Sequence, residues 1–107
     1  MSGNKEIKIE RWNEEVDGEM NDRNMQKKLK LQGYNFIKYT FSPGTDFPDH
    51  THSMSKKDSI ISGEFEFTMY GQTKVLKPGD MVDVPANTVH NARVIGSKSV
   101  TFFDATK

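Results

Sequence analysis

The sequence contains no cysteine. This removes disulfides, thiolate metal ligands and a cysteine nucleophile together, and leaves the redox compartment open. There is no excess of either charge: 15 basic side chains stand against 15 acidic ones, so no bulk positive field is available to neutralise phosphates or anionic lipid. Nucleic acid and membrane surfaces are therefore excluded as expected partners. No run approaches the roughly 18 apolar residues that a membrane span needs, and the start, from Met1 to Lys8, has no apolar run of signal-peptide length. A soluble, cytoplasmic protein is expected. Apolar residues make up only 34% of the chain, which is low for a globular domain and points to long loops or to a stabilising partner chain. Histidine is also scarce. The three in the sequence are His50, His52 and His90, so whatever imidazole chemistry the protein has is confined to them.

With 107 residues there is room for one domain and one core. We expect a single domain over 1–107, with a barrel core over about 25–106 and an amino-terminal edge strand and loop over 1–24. Period-two alternation runs from Met25 onward. Tyr34–Phe41, Glu64–Tyr70, Thr73–Lys77, Met81–Val84 and Val100–Phe103 read as strands rich in aromatic and β-branched residues. In Glu64–Tyr70, Phe65, Phe67 and Met69 share one face and Glu64, Glu66 and Thr68 the other, so the aromatic face is inward. Turn signals recur between the runs at Ser42-Pro-Gly44, Ser62-Gly63, Tyr70-Gly71 and Ile95-Gly96. Pro78-Gly79-Asp80 reads as a tight turn between antiparallel partners. Short strands at such intervals imply a sandwich or barrel. Asn13–Asn24 shows neither period and reads as a loop or short helical turn, Ile7 and Ile9 as an edge strand at a homodimer contact, and Trp12 as a packing or interface anchor.

His50 and His52 are two apart, so in a strand both imidazoles project from one face. His90 supplies a third nitrogen if its strand, with Ala92 and Val94 on the same face, pairs nearby. Three neutral imidazoles leave positions open for water or substrate, as catalytic metal sites require. Taken alone, H-x-H is a weak signal, more often surface or hydrogen-bonded histidines than a metal site.

The wider pattern is more specific. Gly44-x5-His50-x-His52-x3-Lys56-x6-Gly63 resembles the first motif of the cupin superfamily, and Gly79-x5-Pro85-x-Asn87-x2-His90 resembles the second, with Asn87 where a glycine is usual. The resemblance covers about Leu31 to Asp104. It implies an all-β fold, a single jelly-roll (RmlC-like) barrel, and a divalent metal (Mn, Fe, Ni or Zn) on His50, His52 and His90. It leaves the activity open, because cupins include dioxygenases, isomerases, decarboxylases, lyases and non-enzymatic binding domains.

The family's fourth ligand is an acid, and Lys56 stands in its place. An ammonium facing a dication forfeits several kcal/mol relative to a carboxylate, at about 3 kcal/mol per unit pair for 5 Å and an effective dielectric near 20. Three resolutions are open. Lys56 swings its stem to the barrel mouth and leaves a three-histidine site; Asp58, on the same face, becomes the anionic ligand through a strand shift; or the pocket holds no metal and binds an anion or sugar. Beyond the motifs, Asp104 shares a face with Val100 and Phe102 and is a candidate general base if buried, or a solvated acid near the carboxyl terminus if not. That segment and the hairpin Gly63–Phe67 resemble the pectin-degradation cupins that open unsaturated uronates. The expected ligand is a small oxygenated molecule, a sugar acid, enol or similar.

Overall fold

The computed structural model describes residues 5–107. In chain order the elements are β1 (Ile9–Glu10), α1 (Glu14–Asp17), α2 (Asp22–Leu31), β2 (Asn35–Phe41), β3 (Asp46–His50), β4 (Lys56–Ser62), β5 (Glu64–Met69), β6 (Gln72–Leu76), β7 (Met81–Val84), β8 (His90–Ile95) and β9 (Val100–Thr106). The strands form two antiparallel sheets, β1-β7-β4-β9-β2 and β3-β8-β5-β6. Their inner faces share one core. Ile60, Val82, Val84, Val100 and Phe102 come from the first sheet, and Phe65, Phe67, Met69, Leu76, Ala92 and Val94 from the second. The fold is all-β, as the alternating pattern predicts, and is the jelly roll that the cupin resemblance implies; in β5 the inward set is Phe65, Phe67 and Met69, as expected.

Two local readings need correction. Lys77–Asp80 does not join antiparallel partners, since β6 is the edge of the second sheet and β7 lies in the first. The turn instead carries the chain across the barrel, closed by the Asp80 N–H on the Lys77 carbonyl and by Lys77 N–H on the Asp80 carboxylate. Proline-glycine chemistry fixes a sharp reversal but not which sheet the next strand joins. The stretch from Met25 to Leu31 is likewise helical, not the start of a strand. Met25 and Leu29, four apart, are fully buried on one face of α2, a helical spacing that the polar residues between them obscure. Asn21 caps the helix by accepting from the Asn24 N–H.

Helix α2 lies on the outer face of the first sheet, where Met25 and Leu29 join Met81, Phe103 and Ala105, flanked by Trp12, Tyr34 and Phe36. Trp12 is a packing residue here: its indole N–H donates to the Gly18 carbonyl, and the Lys28 ammonium lies 4.9 Å from the ring centroid. Strand β1 is the outermost strand of its sheet, pairing with β7, and Ile7 just before it is buried in the barrel core. Along β4 the alternation splits the two lysines. Lys57 points outward to Glu10 (3.0 Å) and Gln32 (3.1 Å), whereas Lys56 and Asp58 line the interior.

Candidate metal centre

The three histidines meet at one end of the barrel. His50 ends β3 and His90 opens β8, and the two are direct partners in the antiparallel ladder. Ring centroids are 4.2 Å apart for His50–His90, 4.8 Å for His50–His52 and 5.0 Å for His52–His90. His52 does not sit in a strand. It lies past the end of β3, after a register irregularity between Phe47 and His50, so the i, i+2 rule does not place it. Two bonds between loops do: the Asn87 N–H donates to the His52 carbonyl (2.7 Å), and the Ala86 N–H donates to Ser55 Oγ (3.0 Å). Asn87 holds φ at 59°, a left-handed conformation that asparagine tolerates better than most residues, which accounts for its standing in for glycine.

His50 Nδ1 lies 2.7 Å from the Pro48 carbonyl and His90 Nδ1 2.9 Å from the Thr88 carbonyl. A carbonyl can only accept, so in both rings Nδ1 carries the proton and Nε2 presents a lone pair. Burial holds His52 below the ordinary 6.5, helped by the charges of Lys56, His90 and His50 and opposed by Asp104. Burial also holds His90 low, with the bond to the Thr88 carbonyl opposing. Both rings are therefore neutral at pH 7, as a ligand must be. The three donor nitrogens lie within 4.8 Å of one another. Two metal–nitrogen bonds of about 2.1 Å span at most about 4.2 Å, so one ion would draw the three nitrogens closer together. This donor set fits a borderline divalent ion such as Zn, Fe, Ni or Mn.

The histidines border a cavity of about 200 Å³. Its apolar wall is a closed circuit of four phenylalanines, with Phe41–Phe47 at 4.8 Å, Phe47–Phe65 at 5.9 Å, Phe65–Phe102 at 5.5 Å and Phe41–Phe102 at 5.9 Å between centroids. Lys56, Asp58 and Asp104 give the cavity its charged side groups, on the same sheet as Phe41 and Phe102, and Tyr39, Phe67 and Ala92 complete the lining with the histidines. Lys56 neither swings out to solvent nor faces the histidines unpaired. Its ammonium bonds Asp104 Oδ2 at 2.8 Å, with the two side chains only 21% and 18% exposed. Asp104 is thus a pocket residue, not a solvated terminal acid, and its Oδ1 is buried without a partner.

Asp58 shares the cavity but is not among the residues that bring donor atoms to the histidine cluster. The expectation that it becomes a ligand needs β4 to shift near Asp58; the ladder is regular there and slips only between Ile60 and Ser62. It stands directly across from Asp104, an arrangement that disfavours two negative charges. Burial, then the Asp104 charge, push its pKa up to about 7, with Lys56 opposing. Sequence reasoning missed this carboxyl pair because it depends on the β4–β9 register. The aromatic wall was visible only as alternating core residues.

Residues 37–106 match the model of the cupin domain family. Among curated proteins the chain is similar to germin-like protein subfamily 1 member 4 of Arabidopsis thaliana, at 28% identity over 88 residues, covering 72% of this chain and 39% of the relative. It thus spans about two-fifths of that protein's length. Among solved structures, KdgF from Halomonas sp. superposes with a TM-score of 0.59 at 20% identity, over 68% of this chain and 76% of that one, a likeness of fold alone. An RmlC-like cupin from Shewanella frigidimarina gives 0.58 at 26% identity, over 69% and 67%. The DMSP lyase DddQ from Ruegeria pomeroyi gives 0.62 at 25% identity, over 69% and 38%.

Proposed function

The chain belongs to the cupin domain family, and from that premise we propose that it is a metal-dependent enzyme acting on a small oxygenated molecule. The observation that carries the reading is the pairing of His50 and His90 with backbone carbonyls, which commits both rings to offering Nε2. His50, His52 and His90 would hold the metal. A divalent ion bound there supplies a Lewis acid for a substrate oxygen atom or a site for oxygen activation.

The residues of the chain do the rest. Phe41, Phe47, Phe65 and Phe102 exclude water from the substrate's apolar part. Asp104 Oδ1, buried and unpartnered, is the acceptor for a substrate proton, and Lys56 holds that carboxylate in place through Oδ2. Asp58, across the strand pair, is a second carboxyl in the same cavity. The similarity to the DMSP lyase DddQ is in keeping with proton abstraction next to a carbonyl or carboxyl group. The competing reading, a metal-free anion cup, relies on a free Lys56 charge; that ammonium is already held by Asp104.

The test is exchange of α-protons into D₂O, followed by NMR across a panel of 2-oxo acids, β-dicarbonyls and uronates. The zinc- and manganese-reconstituted protein is compared with its Asp104→Asn variant. Wild type catalyses exchange on at least one substrate and the variant loses about 10²-fold or more, within the range general bases contribute. No exchange on any of them, from protein shown to hold metal, favours the binding module instead.

A further inference from the structure

The charges around the cavity say what sign of ligand it takes once metal is bound, and this inference rests on the metal reading above. Two protein groups in the wall carry opposite charges, Lys56 and Asp104, and they cancel. The three histidines bring none when neutral. Among the described residues no carboxylate stands among the donor atoms, so a dication held there keeps its full charge. Even with Asp58 ionised as well, the loaded cavity retains a net charge of +1. A buried uncompensated charge is costly, so the ligand itself must supply the anion that the missing acidic ligand does not.

Shape narrows the class. Four phenylalanines in mutual contact, with Phe67 and Ala92, make up most of the wall beyond the histidines, Lys56, Asp58 and Asp104; they offer no hydrogen-bond partner, and Tyr39 adds a single hydroxyl. A sugar acid carries hydroxyls all round its ring, and each one pressed against that wall loses its water without replacement, at about 1–3 kcal/mol apiece. A flat apolar body loses nothing there and gains ring contacts. Size agrees: an apolar cavity of about 150 Å³ accommodates benzene, and this one, at about 200 Å³, has room for one further small group. We propose that the cavity selects a small, flat carboxylate, an aryl or short unsaturated acid, with its oxygen atoms toward the histidines and its body against Phe41, Phe47, Phe65 and Phe102, and that it discriminates against polyhydroxylated sugar acids.

Three probes separate the components of this proposal. Benzoate has the charge and the shape, benzamide the shape without the charge, and galacturonate the charge without the apolar body. Each is titrated calorimetrically into full-length protein, first metal-free and then loaded with zinc, after zinc uptake has been measured by itself. The expected result is benzoate binding at least ten-fold tighter than both benzamide and galacturonate to the zinc form, with the benzoate-to-benzamide ratio falling below about three without zinc. A Phe47→Leu variant, which trims the wall and leaves the histidines, weakens benzoate several-fold while zinc uptake is unchanged. If zinc is taken up but benzamide or galacturonate binds as well as benzoate, or benzoate does not bind, the ligand class is wrong and the metal reading stands. If no zinc is taken up, both fall.

Discussion

Replacing Lys56 by methionine and Asp104 by leucine, singly and together, measures how far the buried pair holds the pocket together. At 2.8 Å and an effective dielectric near 20, the Coulombic attraction is about 6 kcal/mol. Desolvation of both groups takes back much of that, because about four-fifths of each side chain is out of solvent. Removing Asp104 alone leaves the largely buried Lys56 ammonium without its partner carboxylate and should cost about 3 kcal/mol. For a chain of 107 residues this lowers Tm by roughly 10–20 °C. The double variant exchanges the pair for apolar side chains of similar volume and should lie within about 1 kcal/mol of wild type. Urea denaturation of the four proteins at pH 5.5 then gives a coupling energy of at least about 2 kcal/mol, larger by whatever Lys56→Met costs alone. The pH matters: the Asp104 charge helps hold the Asp58 pKa up to about 7, so without Asp104 the Asp58 carboxyl ionises more readily and can take its place beside Lys56, and the coupling shrinks from pH 5.5 to pH 8. A coupling below about 0.5 kcal/mol at pH 5.5, the value of a surface pair, would refute the reasoning.

Asp58 itself sets a second pH effect. Its folded pKa of about 7 lies above the 3.8 of a free aspartate, so between those values the folded state binds the extra proton, and this contribution to stability is lost as pH rises toward 7, on the order of 4 kcal/mol in all. His52 and His90 act in the opposite sense, since their lowered pKa values cost stability as pH falls through 6.5. Comparing wild type with Asp58→Asn isolates the carboxyl: the variant's stability relative to wild type rises by roughly 2–3 kcal/mol from pH 5 to pH 8, by urea denaturation, with parallel pH profiles contradicting the assignment. Gly63 at φ 82° would place a Cβ 2.3 Å from the Ser99 carbonyl oxygen and 2.9 Å from Val100 Cα, all backbone, whereas Gly71 at φ 70° has open space. Gly63→Ala should therefore cost at least about 2 kcal/mol more than Gly71→Ala, which carries only the left-handed penalty of about 1 kcal/mol; equal thermal shifts would show that the β4–β5 turn is not tight.

Much of this was legible because burial imposes a period. Phe65, Phe67 and Met69 alternate with Glu64, Glu66 and Thr68 since one side of β5 faces the core, and Val100, Phe102 and Asp104 share the inner face of β9 for the same reason. Where two periods compete over few residues the reading slipped: Met25 and Leu29 fit a helix only when the intervening Gln26–Lys28 is taken as its wet side. Contacts between distant segments left no local mark. His52 is held by a bond from Asn87 in another loop, and Lys56 is held by Asp104 on a strand that ends the chain. The motif spacing located the lysine correctly, but its partner depends on the β4–β9 register, which no spacing within either segment encodes.

The central claim is that His50, His52 and His90 form one metal site despite the lysine at the acidic position. Elemental analysis tests it most directly. Wild type and His52→Ala are purified in parallel, reconstituted with Mn, Fe, Ni and Zn in turn, and desalted before measurement. The account predicts about one equivalent of at least one of these metals in wild type and a loss of ten-fold or more in the variant, in keeping with the removal of one of three ligands. Substoichiometric metal in wild type with all four ions, or equal metal in both proteins, would contradict it.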